Sequence, residues 1–404
     1  MGFVRTATAV AASAAIHAQS VRGPRAPRAA HRDAALGLVI TGEFGSLGDQ
    51  ALVAGAEEEL ERGGHTWNLL APGPAAPWAA VTERPTYSET GRLALGGTVW
   101  RPRHLAEAAP GGIIMIGADS MDGAYGVRGV SVRISALNLA ARAGGVASLV
   151  NFSMRETVPP GIARLIRSLD PRVRLVARDR LSASRLRKTA PGREVDSAPD
   201  VAILLRPLVS QQVRDFLALV RRRNENQLPV AALVPNRHLA GLAGGRAGDD
   251  VAYFRACARV LLDAGYFVIL LAHDVRPRPG DPHLIARVES SLADRNVLAV
   301  LPRSAPEAKA VLATTELVVS ARMHAAVASL SSGVPTIGLD YLDKFCGQFE
   351  WYGMERYVTR WTDAFSDDSL ASLVHTARDT GAALRRELAG GVAAALAVPR
   401  NWLP

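Results

Sequence analysis

From residue 36 onward, short runs of aliphatic residues alternate with stretches of helical spacing, and this alternation constrains the fold more than any other feature. LGLVIT at 36–41 reads as a buried strand. A glycine loop follows, then apolar residues at 52, 53, 56 and 60 mark a helix over 50–62 that Gly63-Gly64 ends. GIIMIG at 112–117, a helix near 131–143, a strand at 146–150, a helix at 160–169, a strand at 173–177, a short helix from Ser182 and the run DVAILL at 200–205 continue the series. A second series starts with PVAALVP after the charged stretch RDFLALVRRRNENQ. There FVILLAH, NVLAVLP, ELVVS and PTIGLDY read as strands, separated by helices at 250–264, 283–294 and 305–314 and one from His324.

Strands linked by crossover helices imply parallel sheets covered on both faces. The α/β reading is therefore two Rossmann-like domains facing across a cleft, at 33–208 and 209–404, behind a basic tail at 1–32. Residues 72–110 read as an irregular insertion. In such sheets ligands bind beyond the carboxyl ends of the strands, where helix N-termini present unpaired N–H groups. The search for a site narrows to the strand-to-helix loops.

Charge enters here only to exclude. Of the net +9, five positive charges (Arg5, Arg22, Arg25, Arg28 and Arg32) sit in the tail, which has no acid. The body lacks a basic run interleaved with aromatics, so nucleic acid is not an expected partner. Two cysteines, Cys257 and Cys346, are too few for a disulfide framework and fit a reducing, cytoplasmic setting. No apolar run reaches the roughly 18 residues that span a bilayer, which leaves peripheral membrane association open. The alanine-rich N-terminus reads as a disordered tail rather than a signal peptide.

Four loops stand out. GEFGSLGDQA at 42–51 places Asp49 at the expected N-cap of a helix, as a cap or as part of a polar-substrate loop. GADSMDG at 117–123 offers Asp122 as a general acid or as ordinary turn chemistry. VARDRLSASRL at 176–186 ends a strand with Arg178-Asp179 and expects Ser182 to cap the next helix. SARMHAAVASLSSGVPTIGLDYLDKF at 320–345 puts Arg322 and His324 at a helix N-terminus, with Lys344 one strand later. Only three lysines occur, which gives Lys344 weight. A guanidinium, an imidazole and an ammonium on adjacent strand ends suit a small dianion.

Those residues resemble the polysaccharide pyruvyl transferase family. Its Ser-x-Arg-x-His turn, Gly-x-Pro and Tyr-then-Lys appear as Ser320, Arg322, His324, Gly333, Pro335, Tyr341 and Lys344. Gly48-Asp49 is similar to its Asn-x-Gly-Asp turn, with Ser46 in place of asparagine; VARDRLSASRL and SAPDVAILL resemble two further segments. A triple-glycine turn usual in the family is reduced to Gly117.

The resemblance implies a GT-B-like fold and transfer of the enolpyruvyl unit of phosphoenolpyruvate, as co-substrate with no bound cofactor, onto a sugar diol. It implies that Ser320, Arg322 and His324 hold the phosphate, with His324 protonating the leaving oxygen. Lys344 and Arg237 are candidates for the carboxylate, and Arg178 for a further anion contact. Asp49 or Asp122, from the opposite domain, would be the acid or base. The expected partner is a carbohydrate acceptor: a polysaccharide repeat unit, a glycolipid or a sugar-containing small molecule. No metal cluster is visible, so activity is expected to survive chelation. A nucleotide-sugar glycosyltransferase and a non-catalytic glycan binder are the competing readings.

Overall fold

The computed structural model describes residues 34–403 except 41, 43, 73–74, 89–91, 94–96, 99–104, 106, 125, 238, 240–248, 277–279, 342 and 366–368. The tail at 1–32 and much of the expected insertion at 72–110 lie outside the described residues. The chain forms two compact units. The first takes residues 57–199 with those before 44 and after 398; the second takes Phe44–Ala56 and Asp200–Val398.

From β1 to β7 the elements run β1 (Leu36–Val39), α1 (Leu47–Arg62, which belongs to the second unit up to Ala56), β2 (Trp67–Ala71), β3 (Thr86–Ser88), β4 (Gly112–Ala118), α2 (Val127–Arg142), β5 (Val146–Phe152), α3 (Pro160–Arg167), β6 (Arg174–Ala177), α4 (Arg180–Thr189) and β7 (Asp196–Ser197), the strands all in the first unit. The sheet order is β3-β2-β1-β4-β5-β6-β7, parallel throughout. β4 is buried at every position, as a strand covered on both faces must be, and this is why it reads as an unbroken apolar run. Beneath α2 and α3, Ile113, Met115, Val130, Ile134, Leu149 and Ile162 share one core. The segment from Pro399 returns to this unit, where the Ser148 hydroxyl donates to the Trp402 carbonyl at 2.6 Å.

The second unit continues with α5 (Gln211–Arg223), β8 (Val230–Val234), α6 (Asp249–Asp263), β9 (Phe267–Leu271), α7 (Asp281–Leu292), β10 (Val297–Val300), α8 (Ala305–Leu312), β11 (Leu317–Ser320), α9 (Met323–Leu330), β12 (Thr336–Asp340), α10 (Phe345–Phe349), β13 (Val358–Arg360), α11 (Ser369–Asp379) and α12 (Gly381–Ala397). Its order, β10-β9-β8-β11-β12-β13, is again parallel. Leu233, Phe254, Leu261, Val268, Leu270, Val319 and Ile337 form its core. Both orders reverse direction once, between β1 and β4 and between β8 and β11. Ligands of doubly wound sheets bind at such switch points.

DVAILL differs from expectation. Asp200 caps a 3-10 turn over Val201–Leu204 by accepting the Ala202 N–H at 3.0 Å, so the run is not a strand. α1 begins at Leu47 and the Asp49 N–H donates to Ser46 Oγ at 3.4 Å, so Ser46 rather than Asp49 caps it. Asp179, not Ser182, caps α4, its carboxylate accepting the Ser182 N–H at 2.6 Å and hydroxyl at 2.9 Å. Among the described residues no helix is long and apolar enough to cross a membrane.

Candidate functional site

The switch point of the second unit lies between the loops that follow β8 and β11. β11 ends at Ser320, whose hydroxyl donates to the Arg322 carbonyl at 2.8 Å and accepts the Arg322 N–H at 3.1 Å. This closes a tight turn and makes Ser320 a brace for the backbone. Asn236, just past β8, donates to the Ala321 carbonyl at 3.2 Å and joins the two loops.

Arg322 points its fork at a carboxylate. Its Nε and Nη2 donate to Asp281 Oδ2 and Oδ1 at 3.1 and 2.5 Å, and Nη2 lies 3.7 Å from Asp274. Asp281 is fully buried and also accepts the N–H groups of Arg237, His273 and Asp274, at 3.3, 3.2 and 2.9 Å. One side chain therefore gathers the ends of β8, β9 and β11. Burial opposes the charge on Arg322, but Asp281, Tyr341 and Asp274 outweigh it, so its pKa is raised. Burial likewise works against Asp274, yet its hydrogen bonds to Arg276 and the charge of Arg322 hold its pKa low. His273 is pushed down to about 3 by burial and by the nearby Arg322 and His324, so it is neutral near pH 7.

His324 sits in the first turn of α9, which no side chain caps. Its Nε2 is 3.5 Å from Asp200 Oδ2 without closing a hydrogen bond. On its other side, a Cβ added to Gly48 would stand 2.5 Å from Nδ1. Seven residues on, a Cβ at Gly55 would meet the Val201 carbonyl at 2.2 Å. Positions seven apart share a helix face, so one glycine face of α1 is seated on the imidazole and on the turn that carries Asp200. Lys309 braces the same turn: its ammonium is buried and donates to Ser331 Oγ at 2.8 Å and to the Ile203 carbonyl at 3.4 Å. Burial without a carboxylate partner lowers its pKa to about 8.

The other expected residues fall as follows. Arg237 is half-buried just past β8 and joins the cluster through its backbone. Lys344 follows β12; its N–H donates to Asp340 at 3.2 Å and its ammonium lies 5.9 Å from the centre of the Tyr341 ring. Asp49 belongs to the second unit with Arg322, which corrects its placement on the opposite domain. Asp122 and Arg178 belong to the first unit. Asp122 accepts the Ala124 N–H at 2.9 Å and pairs with Arg155 at 3.2 Å, while buried Arg178 donates to Ser153 Oγ at 2.7 Å. Sequence reasoning missed Asp281, Asp274, His273, Asp200 and Lys309. The signal was present in LAHDVRPRPGDPH, where His-Asp ends a strand and Asp281 opens the following helix. Among the described residues no group of three or more His, Cys, Asp or Glu is arranged to hold a metal.

The family model for polysaccharide pyruvyl transferases matches residues 109–343, more than half of the chain. No curated protein sequence matches. Among solved structures, the chain is similar to a UDP-GlcNAc 2-epimerase from Neisseria meningitidis bound to UDP-GlcNAc, at 11% identity and a TM-score of 0.54 over 88% of this chain and 93% of that one. A ugt transferase from Siraitia grosvenorii in complex with UDP matches at 14% identity and 0.52 over 89% and 94%. Anabaena HepE in complex with UDP and glucose matches at 12% identity and 0.52 over 89% and 94%. The likeness establishes the GT-B-like architecture of two Rossmann-like units. It also corrects the expectation of phosphoenolpyruvate as co-substrate, because several of the matching structures hold UDP or UDP-GlcNAc. Arg322, one of the cations expected to hold the anion, is paired with Asp281.

Proposed function

The chain belongs to the polysaccharide pyruvyl transferase family, and from that premise we propose that it is a transferase whose donor is a UDP-sugar and whose acceptor is a carbohydrate. Family membership and fold together make it an enzyme that transfers a group onto a sugar. The observation that supports this donor is the first turn of α9. It lies at the switch point, no side chain caps it, and its N–H groups would hold a diphosphate. His324, in that turn, would meet the oxygen that leaves with the nucleotide. Arg322 orients the turn through Asp281 rather than trapping a bare anion.

A thermal-shift titration with UDP, UDP-GlcNAc and UDP-glucose, followed by an assay for sugar transfer to glycan acceptors, tests the reading. Stabilisation by UDP and its sugars, lost in His324→Ala, is the expected outcome. Absence of that shift, together with phosphate release from phosphoenolpyruvate, would overturn it.

A further inference from the structure

Three large apolar side chains exposed by the second unit lie together. Leu208 and Val209 precede α5 and Leu301 follows β10, with 52%, 51% and 47% of their surfaces exposed. Hydrogen bonds join the segments that carry them. Gln212 donates to the Leu301 carbonyl at 3.1 Å, and the Leu208 N–H to the Pro306 carbonyl at 3.0 Å. Grouped apolar exposure of this kind marks an interaction surface, whereas scattered leucines need no account.

The surroundings are basic. Arg206, Arg214 and Arg303 are exposed beside these residues. Arg214 is anchored in the patch, donating to the Val209 carbonyl at 2.7 Å. Residues 206–215 and 301–303 hold three arginines against one acid, Asp215. A second copy of the chain would bring this positive surface against itself, and no large aromatic is exposed there to stack a base. Apolar tips flanked by arginines match a layer of lipid phosphates over hydrocarbon.

We propose that this patch docks the second unit on an anionic lipid bilayer, with Leu208, Val209 and Leu301 entering the headgroup layer and the arginines meeting lipid phosphates. Leu301 stands at the carboxyl end of the sheet, the end that carries Arg322 and His324. That placement suits an acceptor sugar borne on a lipid, a step that rests on the transfer function proposed above.

The test needs no substrate. The full chain is floated with vesicles of equal parts phosphatidylglycerol and phosphatidylcholine, and with phosphatidylcholine alone. Binding to the former only, weakened by salt, is expected. The triple variant Leu208→Ser, Val209→Ser, Leu301→Ser should bind about ten-fold more weakly. Arg206→Gln and Arg303→Gln should each cost about five-fold. All five positions are exposed, so melting temperatures should stay at the wild-type value. Absence of vesicle binding by the wild type overturns the proposal. So does undiminished binding by the serine variant, which would assign it to the arginines of residues 1–32. Self-association that the serine variant abolishes would instead name a second copy as the partner.

Discussion

In the second unit one carboxylate, Asp281, accepts from backbone N–H groups after two strands and from the guanidinium after a third. In the first unit Asp179 caps its own helix, and Asp122 serves its own turn and one ion pair. The first six strands follow the same order in both units, so topology does not account for the contrast. Burial does. Asp281 has no exposed surface and its partner Arg322 is 17% exposed, whereas Arg155, which faces Asp122, is 41% exposed. Water can replace the pair in the first unit but not the one in the second. The carboxyl end of the second sheet is therefore a single cooperative cluster, whereas in the first unit Arg178, Ser153, Ser182 and Asp179 link only the loops after β5 and β6 and leave Asp122 to its own turn.

The sharpest way to break this contrast is Asp281→Ala. It strands a buried guanidinium and three backbone donors, and should cost about 3–5 kcal/mol of unfolding free energy in urea. The double variant with Arg322→Met should recover part of that loss, because the orphaned charge is gone. A loss below about 1 kcal/mol would show that water reaches Arg322 and that the cluster is not cooperative.

Lys309 sharpens the same point from the other side, as a buried cation with only neutral acceptors. The unfolded chain keeps its proton up to the ordinary value near 10.5, while the folded chain releases it near 8. Between those values the unfolded state holds more protons, so stability should rise with pH, by roughly 3 kcal/mol in total at 1.36 kcal/mol per unit. Below pH 8 both states are protonated and the slope vanishes. Lys309→Met should flatten the rise in melting temperature between pH 8 and 10.5. An unchanged slope would mean that the ammonium is solvated.

Gly48→Ala tests whether the cluster is catalytic as well as cooperative. The new methyl must displace the His324 ring or the first turn of α1, since it would stand 2.5 Å from Nδ1. A displacement of this kind should lower kcat/KM on the order of 100-fold. Unfolding should change far less. Equal loss in both measurements would make His324 a packing residue.

The parallel strands were legible because burial on both faces leaves unbroken apolar runs such as GIIMIG and FVILL. The same rule misread DVAILL, since periodicity cannot separate a short buried strand from a capped turn. It also passed over Trp67–Ala71, where Asn68 interrupts the run and donates instead to the Ala108 carbonyl. At the site, Arg322 and His324 were legible from the strand-to-helix junction they occupy. Asp281 was not, because it lies 41 residues from Arg322 and acts only once three strand ends are folded side by side. Asp200 stayed hidden inside the misread run. Counting cations along the sequence likewise omitted the carboxylate that folding sets against Arg322.

The smallest effect belongs to the first unit. Arg155→Ala removes a half-exposed partner of Asp122, whose other oxygen still accepts the Ala124 N–H. Solvent screens the lost pair, so unfolding should shift by less than about 1 kcal/mol. Asp122→Ala should cost more than Arg155→Ala, because it also removes the acceptor that shapes the turn. If both variants instead matched Asp281→Ala, Asp122 would itself sit in a buried network. The contrast between the units would then reflect which side chain was removed and not how deeply each cluster is buried.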